Sequence, residues 1–403
     1  MKFIQSNTIP DTFLAFTKGQ LSYLGDKGFE IIAITSPGDR FEEFRERERI
    51  KVYPVVMLRE ISPFRDVAAL FRIIRIMLKE RPSLVQGSTP KAGMLTMMAA
   101  AITDRPARLF FLRGVRHSEL CGWKRRAVYS MEKLTCRLAN RVLCTSPSVM
   151  KEAIESGIAA PKKTAVLHNG TGNGIDHKRF DPHSFDAKAI RAQWGISDDS
   201  SVVLLAGRIV RDKGVVELAE CWSVLKKKFP NLYMIMAGSI EKEDPVPQAV
   251  LDYLKAEERV IMPGRVKDVA PLYSITDILV HPTYREGIPI APLEASAMEV
   301  PVVATKVTGC VDAVVDGETG ILVPPKDSAA LAEAIEYLLE HPEERERMGK
   351  AGRERVVRDF RQEDVWEALY QEYVRLLIER GVIKSEEEIK ARAKEERHDA
   401  TKA

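Results

Sequence analysis

Two carboxylates in the C-terminal half lie on either side of a pair of prolines. Glu286 and Glu294 are separated by seven residues, between apolar runs that predict two buried strands. Pro289 and Pro292 suit only the first turn of a helix, where a missing N–H costs nothing, so we predict that a helix starts there. The free N–H groups and dipole of that first turn favour an anion beside the loop that carries Glu286.

The spacing of the two carboxylates indicates one elongated ligand. Eight positions of a helix rise about 12 Å, so Glu286 and Glu294 cannot share a proton. A hydrogen-bond acceptor at each end and an anion site between them suit a nucleotide diphosphate sugar, with its hexose hydroxyls, pyrophosphate and ribose diol. The alternative is that Glu294 only complements its helix dipole and Glu286 is a solvated loop residue.

A second loop upstream offers cations for the same ligand. The apolar run Val202–Ala206 predicts a buried strand, the loop Gly207–Gly214 (GRIVRDKG) follows it, and an amphipathic helix comes next. In this geometry backbone N–H groups and the long side chains of Arg208 and Lys213 can meet a phosphate. The alternative is an ordinary basic surface loop. Because both loops follow strands of one predicted parallel sheet, however, they should meet at its carboxyl edge, where ligands bind.

The order of these motifs resembles the C-terminal half of the retaining glycosyltransferases of family 4, which have the GT-B fold. GRIVRDKG, the Glu-x7-Glu stretch and the run VTGCVDAVVDGETGILVPPKD follow one another at separations similar to those of that family. The resemblance implies that Arg208 and Lys213 hold the diphosphate, Glu286 the donor-sugar hydroxyls and Glu294 the ribose. Backbone groups in the strand end MPGRV are expected to contact the base. The expected donor-binding residues are Arg208, Lys213, Arg265, Val266, Glu286, Gly287, Ile288, Pro289, Ile290 and Glu294.

The alternation of short apolar runs with helical patterns predicts an α/β protein. It recurs in both halves and indicates two Rossmann-like parallel-sheet domains, which in a GT-B protein face a cleft. We predict domains at 1–185 and 186–361, linked near the glycine-rich stretch NGTGNG. The resemblance implies that an amphipathic helix over 362–384 crosses back to the first domain. A charged tail over 385–403 is predicted to be a solvated helix with a frayed end.

The N-terminal half carries the expected acceptor side. Its first strand–helix connection, QSNTIPD, has no glycine, which disfavours a dehydrogenase. The stretches MLREISPFRD, GSTPKAG and FLRGVRHSE resemble the branch of family 4 that builds bacterial capsular, exopolysaccharide and lipid-linked glycans. Lys91 falls in the first turn of a predicted helix, where the dipole disfavours a cation, so we expect an anionic partner; the alternative is a lysine facing solvent. The acceptor-binding residues expected on this side are Thr12, Arg59, Lys91, Arg113 and His117.

The chain departs from the family at one position. Many family 4 enzymes place a histidine, followed by glycine or aspartate, after the strand that ends here at Leu112, and that histidine contacts the donor sugar. This chain has Arg113 and Gly114 instead. Either Arg113 takes the contact or His117 folds back to it; we favour Arg113.

Composition limits the partners. A net charge of +3 over 403 residues gives no argument for nucleic acid. Five scattered cysteines, and no apolar stretch of about 20 residues, predict a reduced, cytoplasmic protein without a zinc site. The start, MKFIQSN, is expected to be a strand, since no apolar region typical of a signal peptide follows its lysine.

One helix suggests a membrane partner. The basic, apolar stretch Val67–Pro82 predicts peripheral association with an anionic inner membrane. The alternative is that its apolar residues are core and its cations a solvated face; the apolar residues concerned are Leu70, Ile73, Ile74 and Met77.

The sequence therefore predicts a retaining glycosyltransferase. The expected reaction moves a hexose or N-acetylhexosamine from a nucleotide diphosphate sugar, expected to be a UDP-sugar, to a polyprenyl-diphosphate-linked glycan. No cofactor or metal is expected, because Arg208, Lys213 and the helix N-terminus can neutralise the departing diphosphate. The alternatives are a GT-B sugar-nucleotide epimerase, which needs no acceptor, and a non-catalytic protein that binds nucleotide sugars.

Overall fold

The chain folds into two α/β units. The computed structural model describes residues 1–58, 60 and 62–392. Residues 1–174 and the chain from Glu363 onward form the first unit, and residues 175–362 form the second. Each contains one fully parallel sheet, which confirms the predicted fold class. Interior parallel strands are covered on both faces, and this explains why the predicted strands were short, continuous apolar runs.

The first unit is built on a seven-stranded sheet of order β3-β2-β1-β4-β5-β6-β7. Its strands are β1 (Lys2–Ser6), β2 (Glu30–Thr35), β3 (Lys51–Pro54), β4 (Leu84–Ser88), β5 (Ala107–Leu112), β6 (Arg141–Cys144) and β7 (Thr164–Val166). Its helices are α1 (Pro10–Phe16), α2 (Gln20–Asp26), α3 (Phe41–Glu48), α4 (Pro63–Glu80), α5 (Pro90–Ile102), α6 (Gly122–Leu138) and α7 (Pro147–Glu155).

The second unit has a six-stranded sheet of order β10-β9-β8-β11-β12-β13. Its strands are β8 (Ser201–Ala206), β9 (Leu232–Ala237), β10 (Val260–Gly264), β11 (Ile278–His281), β12 (Val302–Thr305) and β13 (Gly320–Val323). Its helices are α8 (Ala187–Gln193), α9 (Val215–Lys228), α10 (Gln248–Ala256), α11 (Ala270–Tyr273), α12 (Ile290–Ala297), α13 (Cys310–Ala313), α14 (Ser328–Glu340) and α15 (Pro342–Asp359).

The last helix, α16 (Gln362–Glu379), returns to the first unit. Its apolar face is part of a core with Phe3 and Phe29, and it supplies Leu369, Tyr370 and Tyr373 to that core. The Tyr373 hydroxyl donates a hydrogen bond to Gln86 Oε1 at 2.5 Å. α16 therefore completes one face of the first sheet, while α4, α5 and α6 contribute to the core on the other face.

The boundary between the two units lies earlier in the chain than predicted. The second unit begins at Ile175, directly after the glycine-rich stretch, and not at residue 186. Ile175 and Phe180 are buried in the core of the second unit, and Ile175 bridges to Arg361. The segment before 186 is therefore packed structure of the second unit.

A glycine separates the first two helices, and the predicted charged tail is partly packed. Gly19 lies between α1 and α2 with φ 78°. A Cβ at Gly19 would lie 2.4 Å from the Trp366 ring. The tail is not wholly solvated: Ile389 is buried in the first unit and the Tyr370 hydroxyl bonds to Glu386 at 3.0 Å. The rest of the predicted tail, 393–403, lies outside the described residues.

Among the described residues no helix combines the length and apolarity needed to span a bilayer. The five cysteines are all unpaired, and all but Cys121 are buried.

Candidate active site

The strand order of the second unit places its candidate site. From β8 the chain passes to β9 on one side of the sheet and later returns to β11 on the other. Loops that leave neighbouring strands in opposite directions open a crevice at the carboxyl edge, which is the usual ligand site of such sheets. The loop after β8 carries Arg208 and Lys213, and the loop after β11 carries Glu286. The two predicted loops therefore lie side by side.

Backbone contacts hold the two loops together. Gly214 has φ 68°, and a Cβ there would lie only 2.0 Å from the carbonyl oxygen of Pro282. The Tyr284 amide donates to the Asp212 carbonyl at 2.8 Å, and the Arg285 guanidinium pairs with the Asp212 carboxylate at 3.0 Å. Glycine is required at 214 both for its conformation and for the close approach.

Lys213 and Glu286 form an ion pair in this crevice. The ammonium contacts Glu286 Oε1 and also lies 3.4 Å from Thr283 Oγ1. His281 Nε2 is 3.0 Å from the same carboxylate oxygen. Burial alone would raise the pKa of Glu286, but Lys213 and His281 outweigh it and lower the pKa to about 2. Glu286 is therefore an ionised hydrogen-bond acceptor at neutral pH and has no proton to give.

His281 is a site residue that the sequence analysis left without a role. It is the last residue of β11 and is buried, with its ring against Glu286. One feature of the sequence could have identified His281 as a site residue: it ends an apolar strand and directly precedes the loop that carries Glu286. Such a histidine can orient the carboxylate through one ring nitrogen.

Arg208 forms an ion pair with a carboxylate that follows the adjacent strand. Its guanidinium pairs with Glu241, which follows β9, at 3.0 Å. Burial would lower the pKa of Arg208, but the Glu241 carboxylate outweighs it and raises the pKa. The side chain remains nearly half exposed, so an anion at the crevice can reach it.

Glu294 lies on α12 and is held by a buried phenol. The Tyr273 hydroxyl donates to Glu294 Oε2 at 3.1 Å. Burial and the Glu294 carboxylate raise the pKa of Tyr273 well above its usual value, so the phenol stays protonated as a donor. Glu294 is thus an oriented carboxylate, in agreement with a binding role.

The structure confirms the predicted helix start but not the predicted rise between the two carboxylates. α12 begins at Ile290, with Pro289 as its extended N-cap and Pro292 in the first turn. Glu286 lies in the loop before α12, so only the last part of the interval to Glu294 is helical. The predicted helical rise of about 12 Å between the two carboxylates therefore does not apply.

The loop between Glu286 and α12 is tightly packed. Ile288 and Pro289 are buried, and Gly287 is half-buried. Gly309, which has φ 82°, approaches so closely that a Cβ there would lie 2.6 Å from the Gly287 carbonyl oxygen. This contact fixes the backbone just before α12, where the first N–H groups of a helix have no partner within the helix itself.

The predicted base-contacting residues follow the edge strand β10. Arg265 is exposed and Val266 is half-buried, directly after Gly264 with its positive φ of 73°. β9 separates β10 from β8 in the sheet. These residues thus lie on the same carboxyl edge as Arg208, two strands away.

The described acceptor-side residues lie at the carboxyl edge of the first sheet. Thr12 follows β1, Lys91 follows β4, and Arg113 and His117 follow β5. Lys91 is buried and pairs with Asp66 at 2.8 Å, which is the anionic partner that its helix position predicted. Arg59 lies outside the described residues.

Arg113 and His117 differ in what they contact. The Arg113 guanidinium lies over the rings of Phe16 and Phe111, at 4.5 and 5.1 Å from their centres, and burial lowers its pKa to about 10. The His117 ring is turned towards α6, where Nδ1 lies 2.7 Å from Glu132. Arg113 directly follows β5, and its contact with a donor sugar stays a prediction.

Several buried polar atoms at this edge have no hydrogen-bond partner among the described residues. Asn7 directly follows β1, Ser88 ends β4 and Thr145 follows β6. The unpartnered atoms are the amide oxygen and nitrogen of Asn7, Ser88 Oγ, Thr145 Oγ1 and Arg113 Nε. Unsatisfied buried polar atoms are costly, so a cluster of them indicates a site for a polar ligand or ordered water.

No group of three or more His, Cys, Asp or Glu side chains in the described part of the chain is arranged to hold a metal ion. Arg208 and Lys213 contribute positive charge to the second-unit crevice.

Comparison with known proteins identifies the family. The family described as "Glycosyl transferases group 1" matches residues 186–355, and that described as "Glycosyl transferase 4-like domain" matches residues 15–170. The capsular polysaccharide biosynthesis glycosyltransferase CapM of Staphylococcus aureus is 34% identical over 357 residues, covering 88% of this chain and 92% of that protein. The chain belongs to glycosyltransferase family 4.

Other relatives of this glycosyltransferase agree. An N,N'-diacetylbacillosaminyl-diphospho-undecaprenol alpha-1,3-N-acetylgalactosaminyltransferase of Campylobacter jejuni is 25% identical over 325 residues, covering 79% of this chain and 84% of that protein. The crystal structure of Anabaena HepE in complex with UDP-glucose matches with a TM-score of 0.77 and 18% identity, over 93% of this chain and 99% of that one. The likeness to HepE shows the GT-B fold.

Proposed function

We propose that this glycosyltransferase moves a hexose or N-acetylhexosamine, with retention of configuration, from a UDP-sugar to a polyprenyl-diphosphate-linked glycan during surface polysaccharide biosynthesis. The supporting observation is the Lys213–Glu286 pair at the crossover point of the second sheet. In this pair, the cation that we assign to a diphosphate lies beside a carboxylate that can only accept hydrogen bonds. The Campylobacter relative, which is named for a diphospho-undecaprenol-linked substrate, supports the lipid-linked acceptor, and CapM supports a capsular product.

The proposed roles follow from the contacts. Arg208 and Lys213 bind the diphosphate and stabilise its charge as it leaves. Glu286, aligned by His281, accepts hydrogen bonds from sugar hydroxyls, and Glu294, held by Tyr273, accepts them from the ribose diol. The bond from the anomeric carbon to the diphosphate breaks, a bond to the acceptor oxygen forms on the same face, and the proton of the acceptor hydroxyl passes to the departing diphosphate oxygen. Glu286 orients the sugar and forms no bond to it.

The first unit is assigned to the acceptor in this proposal. Lys91, Arg113 and Thr12 lie at one sheet edge with the unpartnered atoms of Asn7 and Ser88. A cation and neutral polar groups together suit a glycan carried on a diphosphate. We further propose that the enzyme works in the cytoplasm, at the inner face of an anionic membrane where such an acceptor is presented.

A panel of nucleotide sugars tests the donor assignment. Thermal unfolding and release of nucleoside diphosphate are measured for each sugar without added metal. One UDP-sugar is expected to raise the unfolding temperature and to be slowly hydrolysed. If no nucleotide sugar binds, the crevice is not a donor site; if the nucleotide sugar is converted to an isomer without an acceptor, the protein is an epimerase.

Glu286→Gln tests the role of the carboxylate. The variant keeps the size of the side chain but loses the charge, and we expect kcat/KM to fall by the equivalent of about 2 to 4 kcal/mol. A fall of less than about tenfold, or 1.4 kcal/mol, would contradict the assignment.

Chelation tests the proposal that no metal takes part. EDTA-treated enzyme is expected to keep its activity, since Arg208 and Lys213 supply the positive charge. Complete loss, restored by Mg²⁺ or Mn²⁺, would overturn it.

A further inference from the structure

The outward face of α4 carries large apolar side chains. Phe64 is 93% exposed and Phe71 62%, and Val67 and Leu78 are more than half exposed. At 3.6 residues per turn these four positions form a single stripe along the helix. The inward face is a different set that packs into the core: Ala69, Ile73, Ile76 and Met77. The apolar residues considered in the sequence analysis, Ile73 and Met77 among them, are therefore core or partly buried, and the exposed stripe is additional.

Cations line one side of this stripe. The exposed basic residues of α4 are Arg65, Arg72, Arg75 and Lys79. Both carboxylates of α4, which is described throughout, are turned inward and paired: Asp66 with Lys91 at 2.8 Å, and Glu80 with Lys51 at 2.6 Å. The outward face of α4 is therefore entirely apolar or cationic, although the net charge of the whole chain is only +3.

α6 also combines an exposed aromatic side chain with exposed cations. Trp123, at its start, is 69% exposed, and the basic residues Lys124, Arg125, Arg126, Lys133 and Arg137 are all exposed. The only carboxylate in α6, which is also fully described, is Glu132; it is buried against His117. α4 and α6 both pack against α5, and each begins after a strand end, so Phe64 and Trp123 lie towards the same sheet edge.

We propose that α4 and α6 form a docking face for an anionic lipid bilayer. This inference rests on the proposed function, because it specifies where a membrane-borne acceptor would be met. Exposed Phe and Trp can enter the headgroup boundary while Arg and Lys reach lipid phosphates. Stable anchoring needs two such signals, and this face carries both. An acidic protein would use the cations but would gain little from a long stripe of isolated aromatic and aliphatic side chains.

The contacts of α4 connect this face to the acceptor side. The Lys91 ammonium bonds to Asp66 in the first turn of α4 and to the carbonyl oxygen of Glu60 just before it. Lys91 itself opens α5 at the end of β4. A bilayer under α4 and α6 would therefore lie at the sheet edge that carries Lys91 and Arg113, where the diphosphate of a lipid carrier is presented.

Vesicle flotation of the full chain tests the proposal. Binding is measured to vesicles of phosphatidylcholine with phosphatidylglycerol, and to phosphatidylcholine alone. We expect binding to the anionic vesicles at low salt, weaker binding at about 0.5 M salt because of screening, and little binding to neutral vesicles. Phe64→Ser with Phe71→Ser, and separately Arg72→Glu with Arg75→Glu, should each lower the partition coefficient about tenfold, in keeping with a two-signal anchor.

A matched control distinguishes this face from exposed residues in general. Val224 and Lys227 lie exposed on α9 in the second unit, and Val224→Ser with Lys227→Glu should bind vesicles like the native chain. Absent binding to anionic vesicles, equal binding to neutral ones, or equal loss in the control would each overturn the proposal. Nucleotide-sugar stabilisation is measured in the same samples: a chain that binds UDP-sugar but no vesicle refutes the docking face alone, and the reverse result refutes only the donor assignment.

Discussion

At the scale of single residues, the ionisation of Glu286 has the clearest chemical meaning. Burial would favour its neutral form, yet Lys213 and His281 lower its pKa to about 2. A general acid needs a pKa near the working pH. Glu286 therefore suits the orientation of hydroxyl groups and not proton donation.

The lowered pKa of Glu286 predicts a pH-dependent stability difference. Because the folded-state pKa is lower than the unfolded value of about 4.5, the ionised pair stabilises the fold above that value. This stabilisation should disappear as the pH falls from about 4.5 to about 2. The unfolding temperatures of the native chain and Glu286→Gln, followed across that range, should converge at the acid end. Parallel curves would show that the pKa is not lowered.

Tyr273→Phe should weaken the donor contact that we propose for Glu294. The variant removes the hydroxyl that donates to Glu294 at 3.1 Å while the ring remains buried. We expect KM for the nucleotide sugar to rise several-fold with little change in kcat, since a binding contact far from the reacting bond is affected, at a cost of about 1 kcal/mol. Steady-state kinetics measure this, and an effect on kcat alone would contradict it.

At the scale of elements, the site depends on two loops that approach as closely as backbone permits. Gly214 lies against Pro282, and Gly309 lies against Gly287. These contacts position Lys213 and Glu286 independently of any ligand. The site should therefore be largely preformed, which lowers the cost of binding.

Gly214→Ala should disrupt the site and the fold together. The new methyl group would meet the Pro282 carbonyl at 2.0 Å, so the loop must shift, with an expected loss of about 3 kcal/mol. Gly195→Ala is the matched control, because Gly195 also has a positive φ but nothing within 4 Å of its Cβ position; its cost should be about 1 kcal/mol. Urea unfolding measures both, and equal losses would show that the contact with Pro282 is unimportant.

At the scale of the whole molecule, the chain leaves the first unit at Gly174 and returns to it at Glu363. The first unit is thus completed by residues from the far end of the sequence. Leu369, Tyr373 and Leu377 of α16 are buried with Phe3 and Phe29 of the N-terminal segment. The stability of the first unit consequently depends on α16.

Leu377→Ala should destabilise the first unit by about 2 to 5 kcal/mol through the cavity it leaves. Leu377 is fully buried, whereas the next residue, Ile378, is 43% exposed. Ile378→Ala is therefore the control and should change stability by about 0.5 kcal/mol or less. Denaturant unfolding compares the two, and similar losses would mean that α16 contributes little to the core.

The sequence by itself determined the class of fold and the strands next to the candidate site. Interior parallel strands such as β8 and β11 are short apolar runs, and their loops carry chemistry-bearing residues such as Arg208 and Glu286. These signals are local, because burial on both faces demands continuous apolar residues. Arg208, Lys213, Glu286 and Glu294 could therefore be selected before their positions were known, although their roles remain predictions.

Only the tertiary structure decided what these residues contact. Local sequence patterns do not predict which side chains meet. Examples are the pairing of Arg208 with Glu241, the hydrogen bond from Tyr273 to Glu294 and the contact of His281 with Glu286. Gly19, between α1 and α2, lies against Trp366, from the opposite end of the chain. The sequence also could not show which apolar residues of α4 are exposed. Periodicity identifies an apolar helix, but it does not tell which of two apolar faces the core will cover. Long-range packing makes that choice, and it is absent from any short window of sequence.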